Sequence, residues 1–253
     1  METLEIVQSR QNTIHRISTG IQGLDTLLEG GFPKGHVILI SGTPGTGKSI
    51  ACFQYLYEGL KQGQKCLYLS SDEPVDHLLK ESLSFGIDFS EPIQKGLIKF
   101  VYLPTDTQDV YKEIENELKR ESYERIVLDS LSPVSERPRY MVSNGYEHLP
   151  STSSMTSTTI PIESTQAIRS HIRHLFSMFK SKETTVIVTS EITEDAKNLS
   201  RDTVSEFLSD GILLLNLDTT MDRRKISIRK MRRTKHSLKP HDLLITDHGL
   251  TVQ

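Results

Sequence analysis

Three glycines, a lysine and a serine fall at fixed spacing in Gly42-Thr43-Pro44-Gly45-Thr46-Gly47-Lys48-Ser49. The run fits the phosphate-loop pattern G-x-x-x-x-G-K-[ST], whose glycines let backbone N–H groups turn inward with no Cβ in the way. In such a loop the lysine, here Lys48, reaches the β- and γ-phosphates, and the hydroxyl of Ser49 suits Mg²⁺. The flanks agree with the loop. His36 to Ile40 is a short apolar run that reads as a buried parallel strand, and Ser49 to Gln62, with Ile50 in its first turn, reads as a helix stopped by Gly63. Strand, loop and helix in that order aim the positive end of the helix dipole at the phosphates. The chemistry expected of this segment is binding of ATP or GTP.

Three further groups could act on a bound triphosphate. Asp129 ends the apolar strand Arg125 to Asp129, a position that places a carboxylate beside the metal. A helix N-cap is the alternative for it, and the metal reading is favoured because Ser132 and Pro133 offer other helix starts. Asp72 and Glu73 follow a second apolar strand, at the carboxyl edge where ligands bind in parallel sheets. A carboxylate there can orient and deprotonate the attacking water. An acidic first turn ahead of a helix opened by Pro74 is the other reading, and both can hold together. The third group is basic: Arg223 to Lys239 contains nine Lys or Arg and no acid. Lys230 and Arg232 stand two apart, so on one strand they project to one face and can grip a single anion. A solvated edge strand and a nucleic-acid track remain alternatives.

The elements that must carry these residues alternate. Strands are expected at Lys65 to Ser70, Ile98 to Leu103, Arg125 to Asp129 and Thr185 to Thr189, with helices near Val75 to Phe85, Asp109 to Glu121 and Ser164 to Lys182. After Gly211 the pattern changes to strands joined by short turns, at Gly211 to Leu217, Lys225 to Lys230 and Leu243 to Thr246. The fold class is therefore α/β, a mostly parallel central sheet flanked by helices with a C-terminal antiparallel extension. The 253 residues are read as a single domain over positions 1–253. A Ser/Thr-rich stretch between Ser135 and Ser164 interrupts it, and is read as a mobile loop, either a tolerated insertion or a binding loop. The net charge of −3 gives no global reason for nucleic-acid or membrane binding. Two isolated cysteines, no leader pattern and no apolar run of spanning length point to the cytoplasm.

Together these residues resemble the KaiC-like branch of the RecA-type P-loop ATPases, over about Ile14 to the C-terminus. Arg16 to Asp25 with Gly30 to Gly35 is similar to that family's lead-in to the phosphate loop, and Asp72-Glu73 falls where its paired catalytic glutamates lie. Leu128-Asp129-Ser130, Glu206 to Gly211 and Asp247-His248-Gly249 match its later motifs. The resemblance implies an Mg²⁺-dependent ATPase that assembles as a homo-oligomeric ring, a hexamer, and acts as a switch on a protein partner. It also implies that Lys230 and Arg232, with Thr234 and His236 after them, reach the γ-phosphate held by a neighbouring subunit. Ser190 falls where RecA-like proteins place a polar γ-phosphate sensor. The first acid is Asp72 where the family has Glu, which puts the weight on Glu73. The positions that align with adjacent autophosphorylated Ser and Thr are Glu206 and Phe207, so autokinase activity is not expected. Two competing readings are a single-stranded-DNA-binding recombination accessory and an ATP sensor with little turnover. No helix-hairpin-helix lead or zinc motif supports the first, and intact Asp72 and Glu73 argue against the second.

Overall fold

The computed structural model describes residues 14–104, 110–135, 141–142, 145–146, 165–180, 184–193 and 195–253. The chain opens with β1 (Arg16–Ile17), a short turn of helix α1 (Leu24–Leu27) and β2 (Phe32–Pro33), which pairs antiparallel with β1. Then come β3 (Val37–Gly42), α2 (Lys48–Lys61), β4 (Cys66–Ser70), α3 (Val75–Ser84), α4 (Ser90–Gln94), β5 (Ile98–Tyr102), α5 (Val110–Arg120), β6 (Arg125–Asp129) and α6 (Leu131–Ser135). Two two-residue strands, β7 (Met141–Val142) and β8 (Gly145–Tyr146), pair with each other inside the Ser/Thr-rich stretch, most of which lies outside the described residues. The chain continues through α7 (Thr165–Lys180), β9 (Thr185–Glu191), α8 (Ser205–Leu208), β10 (Gly211–Asp218), β11 (Arg223–Met231), β12 (His241–Thr246) and β13 (Gly249–Val252).

Nine strands form one sheet in the order β13-β12-β11-β10-β3-β9-β6-β4-β5. The strands from β10 through β5 run parallel, and β11, β12 and β13 extend the sheet antiparallel. The expected class is thus the observed one, with one refinement. The extension joins through β10, which pairs parallel with β3, before the chain reverses.

Alternation along the central strands explains the two-sided core. Ile38 and Ile40 of β3 pack on one face with Tyr68, Val127 and the α2 residues Phe53, Tyr55 and Leu56. Val37 and Leu39 pack on the other with Leu67, Leu69, Ile126, Leu128 and the helices α5 and α7. Both sets are close to fully buried, as parallel strands covered on both faces require. Each such side chain contributes about 1.5–3 kcal/mol of transfer free energy, so the central strands are the rigid part of the molecule. Their carboxyl ends carry the site.

Candidate active site

The loop between β3 and α2 is built as its sequence requires. Gly45 and Gly47 take left-handed φ values of 79° and 97°, and Gly47 stands at the N-terminus of α2. A Cβ on Gly42 would lie 2.7 Å from the Leu215 carbonyl oxygen and from Thr46 Oγ1, so only glycine fits there. Thr46 is buried and donates to the Thr43 carbonyl at 2.8 Å, closing the loop. Lys48 Nζ donates to the carbonyls of Gly42 and Thr43, at 3.0 Å each. Burial lowers the Lys48 pKa, an effect opposed by the nearby carboxylates of Glu191 and Asp129.

A cleft of about 450 Å³ opens over this loop. Pro44, Gly45, Gly47, Lys48, Ser49 and Ile50 line one wall, and Asp72, Glu73, Glu81, Asp129 and Glu191 face them. The strand register explains why the acids converge. Ser70 of β4 pairs with Asp129 of β6, and beyond that pair Ser71 Oγ donates to the Ser130 carbonyl and accepts from the Ser130 N–H. Ser70 Oγ pins the next turn, donating to the Glu73 carbonyl at 2.6 Å and accepting from its N–H. Asp72 and Glu73 are held beside Asp129 in consequence. Burial, together with the carboxylates of Asp129, Glu191 and Glu73, raises the Asp72 pKa. Glu81 on α3 is raised by burial and by Glu73 and Asp129.

Asp129 does not cap a helix. Its two oxygens accept from the hydroxyls of Tyr68, at 2.6 Å, and Thr189, at 2.5 Å, which fixes the plane of the carboxylate at the mouth of the cleft. Ser49 and Asp129 line the same cleft as hard oxygen donors, the chemistry Mg²⁺ takes beside phosphates. Among the described residues no group of three or more His, Cys, Asp or Glu forms a metal cage by itself.

Other sequence-expected residues lie elsewhere. Ser190 is fully buried, and its hydroxyl accepts the Arg201 N–H at 3.0 Å; its neighbour Glu191 is the residue that reaches the cleft. Lys230 and Arg232 sit at the opposite end of the sheet. Lys230 Nζ donates to the Ser209 carbonyl at 2.6 Å, and Arg232 forms an ion pair with Asp210 at 2.8 Å. Thr234 accepts from Arg16 at 2.8 Å, and His236 is half-buried in the loop beyond β11. The strand β11 itself measures the separation. Arg224, near its start, donates to the Gly45 carbonyl of the phosphate loop at 3.1 Å. Lys230 lies six residues further along the same extended strand, about 20 Å away at about 3.3 Å per residue.

Sequence reasoning missed Tyr68, Glu81, Thr189, Glu191, Arg224 and Ile245. Ile245 lines the apolar end of the cleft with Ile50 and Leu78. It comes from the C-terminal hairpin, which is tied to α2 by Gln54: Oε1 accepts the Leu250 N–H at 2.7 Å, and Nε2 donates to the Leu250 carbonyl at 3.1 Å.

A family model described as "ATPase: KaiC" matches residues 17–253. The chain belongs to the KaiC family of ATPases. It is 31% identical to a UPF0273 protein of Pyrococcus furiosus, over 94% of each chain. The circadian clock oscillator protein KaiC of Synechococcus elongatus is 27% identical over 100% of this chain and 47% of its own length. This KaiC-family chain therefore spans about half the length of the clock proteins it matches. The crystal structure of a KaiC-like protein of Pyrococcus horikoshii superposes with a TM-score of 0.76 at 29% identity, covering 95% of this chain and 99% of that one. The fold is a single KaiC-type, RecA-like domain.

Proposed function

We propose that this KaiC-family domain, taken as one unit over its whole length, is an Mg²⁺-dependent ATPase whose sites are completed between copies of itself in a ring, a hexamer in its simplest form. Hydrolysis then changes the shape of the ring, which acts as a switch on a protein partner. The single observation behind this reading is the span of β11. It touches its own phosphate loop through Arg224 and carries Lys230 and Arg232 to the far end of the sheet. Those two cations are out of reach of their own cleft, so any γ-phosphate they meet belongs to another copy.

In the cleft, the amides of Gly45 to Ser49 and the amine of Lys48 take the triphosphate, with Lys48 leaving the Gly42 and Thr43 carbonyls for phosphate oxygens. Ile50, Leu78 and Ile245 offer an apolar wall to the base. Ser49 and Asp129 would hold Mg²⁺, which neutralises charge on the β- and γ-oxygens. Glu73 accepts a proton from the water that attacks the γ-phosphorus, with Asp72 beside it, and the bond to the leaving ADP oxygen breaks. Lys230 and Arg232 of a neighbouring copy stabilise the charge that spreads over the γ-oxygens. Such a cation in trans is worth about 10³ to 10⁵ in rate.

Steady-state turnover per protomer across a protein concentration series tests this. Turnover should rise cooperatively with concentration and be indifferent to single-stranded DNA. Arg232→Ala should lose about 10³-fold in kcat with nucleotide affinity changed less than about threefold. Turnover per protomer that stays flat on dilution to a monomer would overturn the reading, and a large DNA stimulation would favour a strand-binding ATPase.

A further inference from the structure

The amine of Lys230 is held by the end of α8. It donates to the carbonyls of Glu206, Phe207 and Ser209, at 3.2, 3.4 and 2.6 Å. A helix C-terminus presents unpaired carbonyls and the negative end of the dipole, so it is a natural cradle for a cation. That helix is too short to hold its own position by packing alone. It is anchored by the side chain of Glu206, which accepts the Leu199 N–H at 2.5 Å and the Ser200 hydroxyl at 3.2 Å. Leu199 is in turn fixed to the phosphate-loop strand, since Ser41, directly before Gly42, donates its hydroxyl to the Leu199 carbonyl.

We infer that Glu206 is a positioning residue for the neighbour's catalysis: its carboxylate holds α8 against the 199–200 loop, so that α8 presents Lys230 to the next copy's cleft. The inference rests on the shared-site reading above. The connection is continuous, running from Ser41 beside the chain's own loop through Leu199 and Glu206 to Lys230. Glu206 touches neither nucleotide, and its effect is delivered one subunit away.

That displacement makes the inference testable by mixing subunits. Glu206→Ala should lower kcat by about 10- to 100-fold with ATP affinity unchanged within about twofold. Glu206→Gln keeps an acceptor for the Leu199 N–H and should restore most of the rate. Ser200→Ala, a milder lesion, should shift kcat in the same direction by a few-fold, which covers the case where Glu206→Ala does not fold. A 1:1 mixture of Glu206→Ala with Lys48→Ala protomers should recover to about a quarter of wild-type turnover, because Lys48→Ala subunits donate an intact lysine to intact clefts at one junction in four. A mixture no more active than Glu206→Ala alone would place the defect in the residue's own cleft and overturn the inference. So would wild-type kcat in both Glu206→Ala and Ser200→Ala. The control is Arg232→Ala mixed with Lys48→Ala. If that mixture also fails to recover, the shared-site reading is what has failed.

Discussion

The Asp129 carboxylate shows how this site is set at the level of single side chains. A carboxylate that is to meet a metal in one geometry needs its plane fixed, and Tyr68 and Thr189 do that from the strands on either side. Tyr68→Phe and Thr189→Val should each raise the Mg²⁺ concentration for half-maximal turnover by about tenfold, with ATP binding in excess Mg²⁺ little changed. An unchanged Mg²⁺ titration would show that the hydroxyls are only packing partners. Asp210 gives a prediction in pH. Burial works against its charged form, but the Lys180 ammonium, the Val37 N–H and His36 outweigh burial and hold its pKa below the usual carboxylate value. A depressed pKa contributes stability that is full above the unfolded value, near about 3.9, and is lost as pH falls through the folded one. Asp210→Asn should therefore lower Tm at pH 7 by about 3–6 °C, a loss of about 1–2 kcal/mol, and the gap to wild type should narrow as pH falls below the unfolded carboxylate value and Asp210 becomes protonated in the folded state. A gap that stays constant with pH would place the cost in packing. The loop residues and Asp129 were legible in the sequence because each belongs to a contiguous pattern. Tyr68, Thr189, Glu191 and Arg224 were not, because each joins the site through strand register, which no local pattern encodes.

At the level of elements, the sequence gives the strands well and their neighbours less well. Hydrophobic runs locate β3, β4, β6 and β9 within a residue or two, since buried parallel strands are continuous apolar segments. The parallel pairing of β10 with β3 was not legible, because pairing is a property of two segments far apart in the chain. The short helices α6 and α8 were also missed, being too brief to show a helical period. One feature of α2 has a physical reason only the structure reveals. Gly59 sits inside the helix where a Cβ would lie 2.5 Å from Arg125 Cδ, and Arg125 is fully buried with its guanidinium 4.8 Å from the Tyr55 ring centroid. Arg125 donates to the carbonyls of Ser18 and Tyr55, both at 2.8 Å, tying the phosphate-loop helix to the N-terminal segment. Gly59→Ala improves helix propensity yet should destabilise the protein by about 1–3 kcal/mol through overpacking. Thermal unfolding measures it, and a raised Tm would mean that Arg125 moves aside without cost.

At the scale of the whole molecule, the nine-stranded sheet sets the cleft and the cations Lys230 and Arg232, which the proposed function assigns to one shared site, at opposite ends. The phosphate loop and its carboxylates lie at one end of the strands, and Lys230 and Arg232 lie at the other. On the proposed reading a head-to-tail contact between copies would join them, and such contacts close into rings when the rotation per subunit allows. Among the described residues no helix is long and apolar enough to cross a membrane. Inside the cleft five carboxylates face the loop with Lys48 as the lining cation. A bound triphosphate would add further negative charge, which on the proposed reading the neighbour's two cations would offset.

The most direct test mixes two variants that the shared-site reading makes inactive. Lys48→Ala removes the phosphate-binding lysine but leaves the far end of β11 intact, and Arg232→Ala does the reverse. Turnover is measured for each alone and for the equimolar mixture after reassembly. Sites shared between copies predict almost no activity from either variant and about a quarter of wild-type turnover from the mixture, the fraction of junctions with both halves intact. A mixture that shows only the average of the two variants would contradict the account, because each copy would then be completing its own site.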